Sequence, residues 1–207
     1  MNPRIAVVDH GAGNLVSISR GLERAGARVV VADGPDRLAE MDGVVLPGVG
    51  ATASVMEGIR AGGFEQPLKE LTVPLFGICV GMQVLFHTSE EDGADCLGII
   101  EGRVHRLDNA PRLPHIGWNE LEMVAQDPLF EGLGPDPVVY FVHSYAPIPD
   151  DPAGVIARST YDDPFVAAVR HGLVSGTQFH PERSGPEGLR ILANFVAECA
   201  RRSVVTS

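Results

Sequence analysis

The chain falls into two halves with different hydrophobic rhythm. In the first, short apolar runs without polar alternation are separated by stretches of helical periodicity. RIAVVD (4–9) is a β-branched run, and Leu15, Ile18, Leu22 and Ala25 then recur at three- and four-residue spacing until Gly26 ends the pattern. RVVVA (28–32) predicts a second strand, and GVVLPG (43–48) a third closed by proline and glycine. Val55, Met56 and Ile59 predict a helix ended by Gly62-Gly63, and VPLFGI (73–78) predicts another buried strand. Unalternating strands joined by helices predict an α/β fold, with a mostly parallel central sheet covered by helices on both faces.

The second half changes character. LGIIEGRVHRL, VVYFVHSYA, VIARST, FVAAVRH and LVSGTQF read as strands separated by short turn-rich pieces. They predict antiparallel additions and a small second sheet. A last helix is expected roughly from Pro186 to Arg202, with Leu189, Leu192, Phe195, Val196 and Cys199 on one face. No repeat or linker divides the chain, so one domain spanning 1–207 is expected, long enough for a full core.

Composition narrows the function. The net charge is −11, with no basic footprint of the kind nucleic-acid binding requires. The longest mostly apolar stretch, Val73 to Phe86, is interrupted by Gln83 and is too short for a bilayer. The start, MNPRIAVVDHG, reaches Asp9 after a brief apolar run and does not read as a signal peptide. Cysteines occur only at 79, 96 and 199, which is neither a disulfide framework nor a zinc pattern. A cytoplasmic, reduced protein without metal or cofactor is expected, with no nucleic-acid or membrane partner.

One cysteine stands out. GICVGMQ (77–83) fits Gly-x-nucleophile-x-Gly at a strand-to-helix turn. Such a turn would hold Cys79 strained and exposed, with free N–H groups of the next helix aimed at its sulfur. A helix end contributes roughly 0.3–1 kcal/mol, at best about 2. That is too little to ionise a thiol of pKa about 8.5, so a base is needed. Of seven histidines (10, 87, 105, 115, 143, 171 and 180), His180 in GTQFHPERS is distinguished. Pro181 biases it to an extended backbone, in which residues i and i+2 share a face. Glu182 could then accept from Nδ1–H, leaving Nε2 for the cysteine proton. Spacing supports the His180–Glu182 relation but not the Cys79–His180 contact. GVGATA also fits a dinucleotide fingerprint, but the following strand VPLFGI lacks the ribose-binding acid.

With these residues assembled, the chain resembles the class I (triad-type) glutamine amidotransferases, and within them the glutaminase subunits of imidazole glycerol phosphate synthase. The resemblance rests on VDHGAGNL (8–15), LPGVGA (46–51), GICVGMQ, PHIGWN (114–119), YFVHSY (140–145) and GTQFHPERS (176–184). It implies a flavodoxin-like fold and hydrolysis of L-glutamine through a thioester. The ammonia would pass to a (β/α)8-barrel cyclase subunit that makes imidazole glycerol phosphate and AICAR in histidine biosynthesis, in a heterodimer. By motif position, Cys79 is the nucleophile, His180 the general base and acid, and Glu182 the orienting carboxylate. Backbone N–H groups of Val80 and Val49 would form the oxyanion hole. Gly48, Gly50 and Gln83, with the backbone of Val142, Ser144 and Tyr145, would bind glutamine. Asn14, Trp118, Asn119 and Arg183 would face the partner, PHIGWN being read as a Pro-bounded loop. Thr52 stands where the family commonly has an aromatic residue and is expected to loosen packing behind PGVG. His10 stands at a usual tyrosine position, Val80 at a leucine and Arg183 at a lysine. The alternatives are a stand-alone γ-glutamyl hydrolase and a non-catalytic regulatory subunit.

Overall fold

The computed structural model describes residues 2–110 and 112–205, with side chains to 201. In chain order β1 (Arg4–Val8), α1 (Leu15–Arg24), β2 (Arg28–Ala32), β3 (Gly43–Gly48), α2 (Thr52–Ala61), α3 (Glu65–Lys69), β4 (Leu75–Cys79) and α4 (Val80–Gln83) make the first half. There follow β5 (Thr88–Ser89), β6 (Ala94–Asp95), β7 (Gly102–Arg106), β8 (His115–Glu120), β9 (Glu122–Met123), β10 (Val138–His143) and β11 (Tyr145–Pro149). β12 (Val155–Tyr161), β13 (Asp163–His171), β14 (Val174–Thr177) and α5 (Gly185–Val205) complete the chain.

The main sheet has the order β2-β1-β3-β4-β14-β13-β12-β9. Its first five strands are parallel, and β13, β12 and β9 extend it antiparallel. The parallel part has the doubly-wound order 2-1-3-4-5, with β14 in fifth place. LVSGTQF therefore belongs to the parallel core and not to the antiparallel additions. β14 leaves β13 by a tight turn and so returns in the direction of β4, beside which it lies. The expected small sheet is two: the ribbon β10-β8 and the sheet β11-β7-β5-β6. VVYFVHSYA, read as one strand, breaks at Ser144, and its halves pair in different sheets.

Local chemistry explains the helices. Asn14 caps α1 by accepting from the Ser17 N–H, while Ile18 and Leu22 enter the core. Gly21 lets α1 close onto Leu192 of α5, where a methyl group would collide. Leu192, Phe195, Val196 and Cys199 are buried on α5 as expected, Leu189 is half-buried, and Ile191 joins the buried face. The apolar run MQVLF gives only one helical turn. The carbonyls of Val84, Leu85 and Phe86 are taken by N–H groups of Leu97, Ile99 and Gly98, which ends α4 early.

Candidate active site

β3 and β4 run side by side and end together, with Gly48 opposite Cys79 as their last paired residues. Val49 and Val80 are the first residues past those two strand ends. This is the carboxyl edge of the parallel sheet, where ligands of open α/β folds bind. Close approach here depends on Gly81, at which a methyl group would strike the Leu46 carbonyl.

Cys79 has φ +54°, a left-handed conformation in a non-glycine residue. The strained elbow is thus present, but the cysteine is not exposed: it is only 3% accessible. The strand ends of β10 and β11 close over it and make a cavity of about 200 Å³. Helix polarity also contributes less than expected at the sulfur, because α4 has a single turn. The Gln178 amide compensates in part. Its Nε2 donates to Cys79 Sγ at 3.6 Å, and its Oε1 accepts from Gln83 Nε2 at 3.0 Å. The thiol itself points to the Val142 carbonyl at 3.8 Å.

His180 reaches the same cavity from beyond β14. Its backbone is extended (φ −101°, ψ 96°), and its N–H donates to the Tyr140 carbonyl. Nδ1–H donates to Glu182 Oε1 at 2.9 Å, with both side chains almost wholly buried. The contact is the one expected, although Glu182 sits in a single 3₁₀ turn, Pro181–Arg183, and not on a continued strand. Burial opposes the charged imidazole, but a Cys79 thiolate and the Glu182 carboxylate outweigh it and raise the His180 pKa to about 10. Among the described residues, His180 Nε2 is buried without a hydrogen-bond partner, and His180 lines the same cavity as Cys79.

Val49, Gly50, Val80, Gln83, Val142, Ser144 and Tyr145 all line the cavity, as expected. Gly48 lies behind it, against a small recess shared with Asn14 and Glu182. Two further residues line the cavity: His143, which lies in the YFVHSY motif, and Glu91, which carried no sequence signal. Glu91 Oε2 accepts from both the N–H and the hydroxyl of Thr52, each at 2.9 Å. Thr52 is fully buried in these bonds, so it does not loosen the packing behind PGVG. His143 is pushed down to about 3, chiefly by burial, with His115 and His180 adding to the decrease, and its Nδ1–H donates to the Tyr145 carbonyl. It forms a neutral wall. His10 is also buried, and its Nε2–H donates to the Pro47 carbonyl at 2.7 Å, beneath the PGVG loop and away from any surface.

PHIGWN is a strand, not a loop: residues 115–120 pair with β10 in register, Trp118 opposite Tyr140. Alternation sends Ile116 and Trp118 outward, 60% and 55% exposed, and His115 inward. Asn119 turns inward too. Its Oδ1 accepts from His115 Nε2–H and its Nδ2 donates to the Thr160 carbonyl. Arg183 is exposed. Among the described residues no three histidine, cysteine or acidic side chains cluster as metal ligands, and no helix is long and apolar enough to cross a membrane.

Comparison with known proteins places this geometry. The family model of class-I glutamine amidotransferases matches residues 6–199. "Imidazole glycerol phosphate synthase subunit HisH" of Synechococcus sp. (strain JA-3-3Ab) is 48% identical over 206 residues, covering 96% of this chain and 95% of that one. The HisH subunit of Halobacterium salinarum is 48% identical over 207 residues, covering 95% and 94%. In fold, the chain is similar to PurLQS from Thermotoga maritima, with TM-score 0.74 and 20% identity, covering 95% of this chain and 99% of that one.

Proposed function

The chain belongs to the class-I glutamine amidotransferases and, within them, to the HisH subunits of imidazole glycerol phosphate synthase, and on that membership we propose how its pocket works. It is the glutamine amidotransferase subunit of that synthase and serves histidine biosynthesis.

Glutamine enters the cavity with its side-chain amide over Cys79. The thiol proton passes to His180 Nε2, held in the right tautomer by Glu182, and the thiolate adds to the amide carbon. The resulting oxyanion is met by the Val80 and Val49 N–H groups at the paired strand ends. His180 returns its proton to the leaving nitrogen, ammonia departs, and water attacks the thioester by the same route in reverse. Glu91 is the one carboxylate among the described cavity-lining residues, which suits it to the α-ammonium of glutamine. The observation that carries this reading is the convergence of Cys79, Glu91 and the sequence-remote His180 on one cavity. Release of glutamate and ammonia from glutamine, assayed with and without a cyclase partner, tests it. Hydrolysis at full rate without a partner would favour the stand-alone hydrolase, and none under any condition a non-catalytic subunit.

The partner is a (β/α)8-barrel cyclase in a cytoplasmic heterodimer, docked over the outward face of the β8–β10 ribbon. Ile116, Trp118 and Val138 are exposed there, and aromatic residues of this kind anchor interfaces. Asn14 borders the recess that Glu182 also lines, and Arg183 is exposed on the turn that carries Glu182, whereas the Asn119 amide is already engaged within the chain. Trp118→Ala should leave the melting temperature of the isolated chain nearly unchanged and weaken partner binding by at least about 2 kcal/mol, a hot-spot-sized loss. A large thermal destabilisation with unaltered partner binding would contradict this.

The charge coupling at His180 gives a separate expectation. In Cys79→Ala the strongest influence favouring the imidazolium is removed, so the His180 pKa should fall well below about 10. Glu182→Gln should lower it less. Histidine NMR titration reads both directly, and an unchanged His180 in Cys79→Ala would contradict the proton path.

A further inference from the structure

Helix α2 begins at Thr52, directly after the PGVG loop, and Ala51 gives it no side-chain cap. The cap comes from elsewhere in the chain. Glu91 Oε2 takes the Thr52 N–H and the Thr52 hydroxyl together. Ser89 closes a ring behind them: its Oγ accepts from the Glu91 N–H at 3.2 Å, and its hydroxyl lies 3.2 Å from Thr52 Oγ1. Because Thr52 Oγ1 gives its proton to Glu91, the Ser89 hydroxyl is the donor in that last contact. Thr52 and Ser89 are buried, and Glu91 lines the cavity above Cys79. One carboxylate oxygen is thus fixed by two donors, at the positive end of a ten-residue helix.

We propose that Thr52 is a specificity-determining positioning residue, which locks the Glu91 carboxylate so that it selects substrates carrying an α-ammonium group. This rests on the glutaminase reading above. A carboxylate on a surface loop would otherwise lose rotamer freedom on meeting the ammonium, and preorganisation removes that cost. The hydroxyl makes a charge-assisted bond of the strong class. The same clamp joins the substrate anchor to the start of α2, two residues after Gly50. Occupation of the anchor is thereby felt at the loop that carries the Val49 N–H.

The test uses the chain with its synthase partner and two substrates. One is glutamine, and the other is glutaramate, which is glutamine without its α-amino group. Thr52→Val keeps shape and removes only the hydroxyl. It should raise KM for glutamine about tenfold, the size expected for one hydrogen bond to a charged group, with kcat little changed. Glutaramate kinetics should not move, so selectivity falls by the same factor. Thr52→Ser should restore it. Equal losses on both substrates would make Thr52 a structural residue only, and unchanged selectivity would remove the proposal. In a Cys79→Ala background, glutamine binding to the isolated chain by calorimetry should weaken in the same way with Thr52→Val. That arm reads the clamp even if the wild-type complex releases no ammonia, an outcome that would count against the glutaminase reading alone. Undiminished binding there overturns the clamp whatever the activity.

Discussion

Replacing Cys79 by alanine is expected to reduce glutamine hydrolysis by several orders of magnitude, up to about 10⁶ by analogy with triad nucleophiles. The structure explains why no other group could substitute. Cys96 and Cys199 are buried, their thiol pKa values pushed up chiefly by burial, Cys96 to about 11, and neither lines the cavity. His180→Ala should cost nearly as much, because it removes the proton acceptor and with it the partner of the sulfur charge. Glu182→Gln should be milder, since it alters tautomer and orientation but removes no transferring group. Steady-state glutamate release by the three variants checks the ranking, and a Glu182→Gln loss exceeding that of His180→Ala would contradict the roles.

The second large effect concerns control. Alone, the chain is expected to be a poor glutaminase, and a partner carrying its nucleotide ligand should raise the rate by about two to three orders of magnitude, the worth of one oxyanion donor. The segment on which this control would act is narrow. Pro47 is held by His10, and Gly48 is paired with Cys79, where an added methyl group would strike the Gly81 backbone. Gly50 has φ +90° and open space around it, and Val49 is 41% exposed. The Val49 N–H belongs to the Gly48–Val49 peptide, which turns about Gly48 ψ and Val49 φ, and the freedom of Gly50 lets the following chain adjust to that turn. A Gly50→Ala substitution, strained at that φ, should lower partner-stimulated turnover more than partner affinity. Rates of the chain alone, with partner, and with partner plus nucleotide would be equal if the hole were already formed.

Much of this was legible from the residues. β1, β3 and β4 are apolar on both faces and almost wholly buried, and a buried parallel strand leaves that mark directly; β2 reads alike but is the edge strand, with Val31 exposed. The elbow and the His180–Glu182 pair were legible because glycine, proline and i,i+2 spacing are local signals. What escaped was set by distant contacts. Ser144 interrupts a run that is β-prone on either side, and only pairing with two different sheets reveals the break. Glu91 sits in an ordinary acidic stretch, EED, and is held in place by Thr52, 39 positions away. Gln178 reaches Cys79 across 99 positions, with nothing in GTQF to indicate it. Thr52 was misread because its environment is polar, which a comparison of side-chain size does not convey.

The central claim is that Cys79 attacks the amide carbon of glutamine inside this cavity. It is tested most directly by treating the partner complex with a glutamine analogue bearing an electrophilic ketone in place of the amide, then mapping the adduct by peptide mass spectrometry. The account expects one adduct, on the peptide containing Cys79, with glutamine hydrolysis lost in proportion to labelling and with glutamine itself protecting. Loss of hydrolysis with Cys79 unmodified, or full hydrolysis with Cys79 completely labelled, would contradict it.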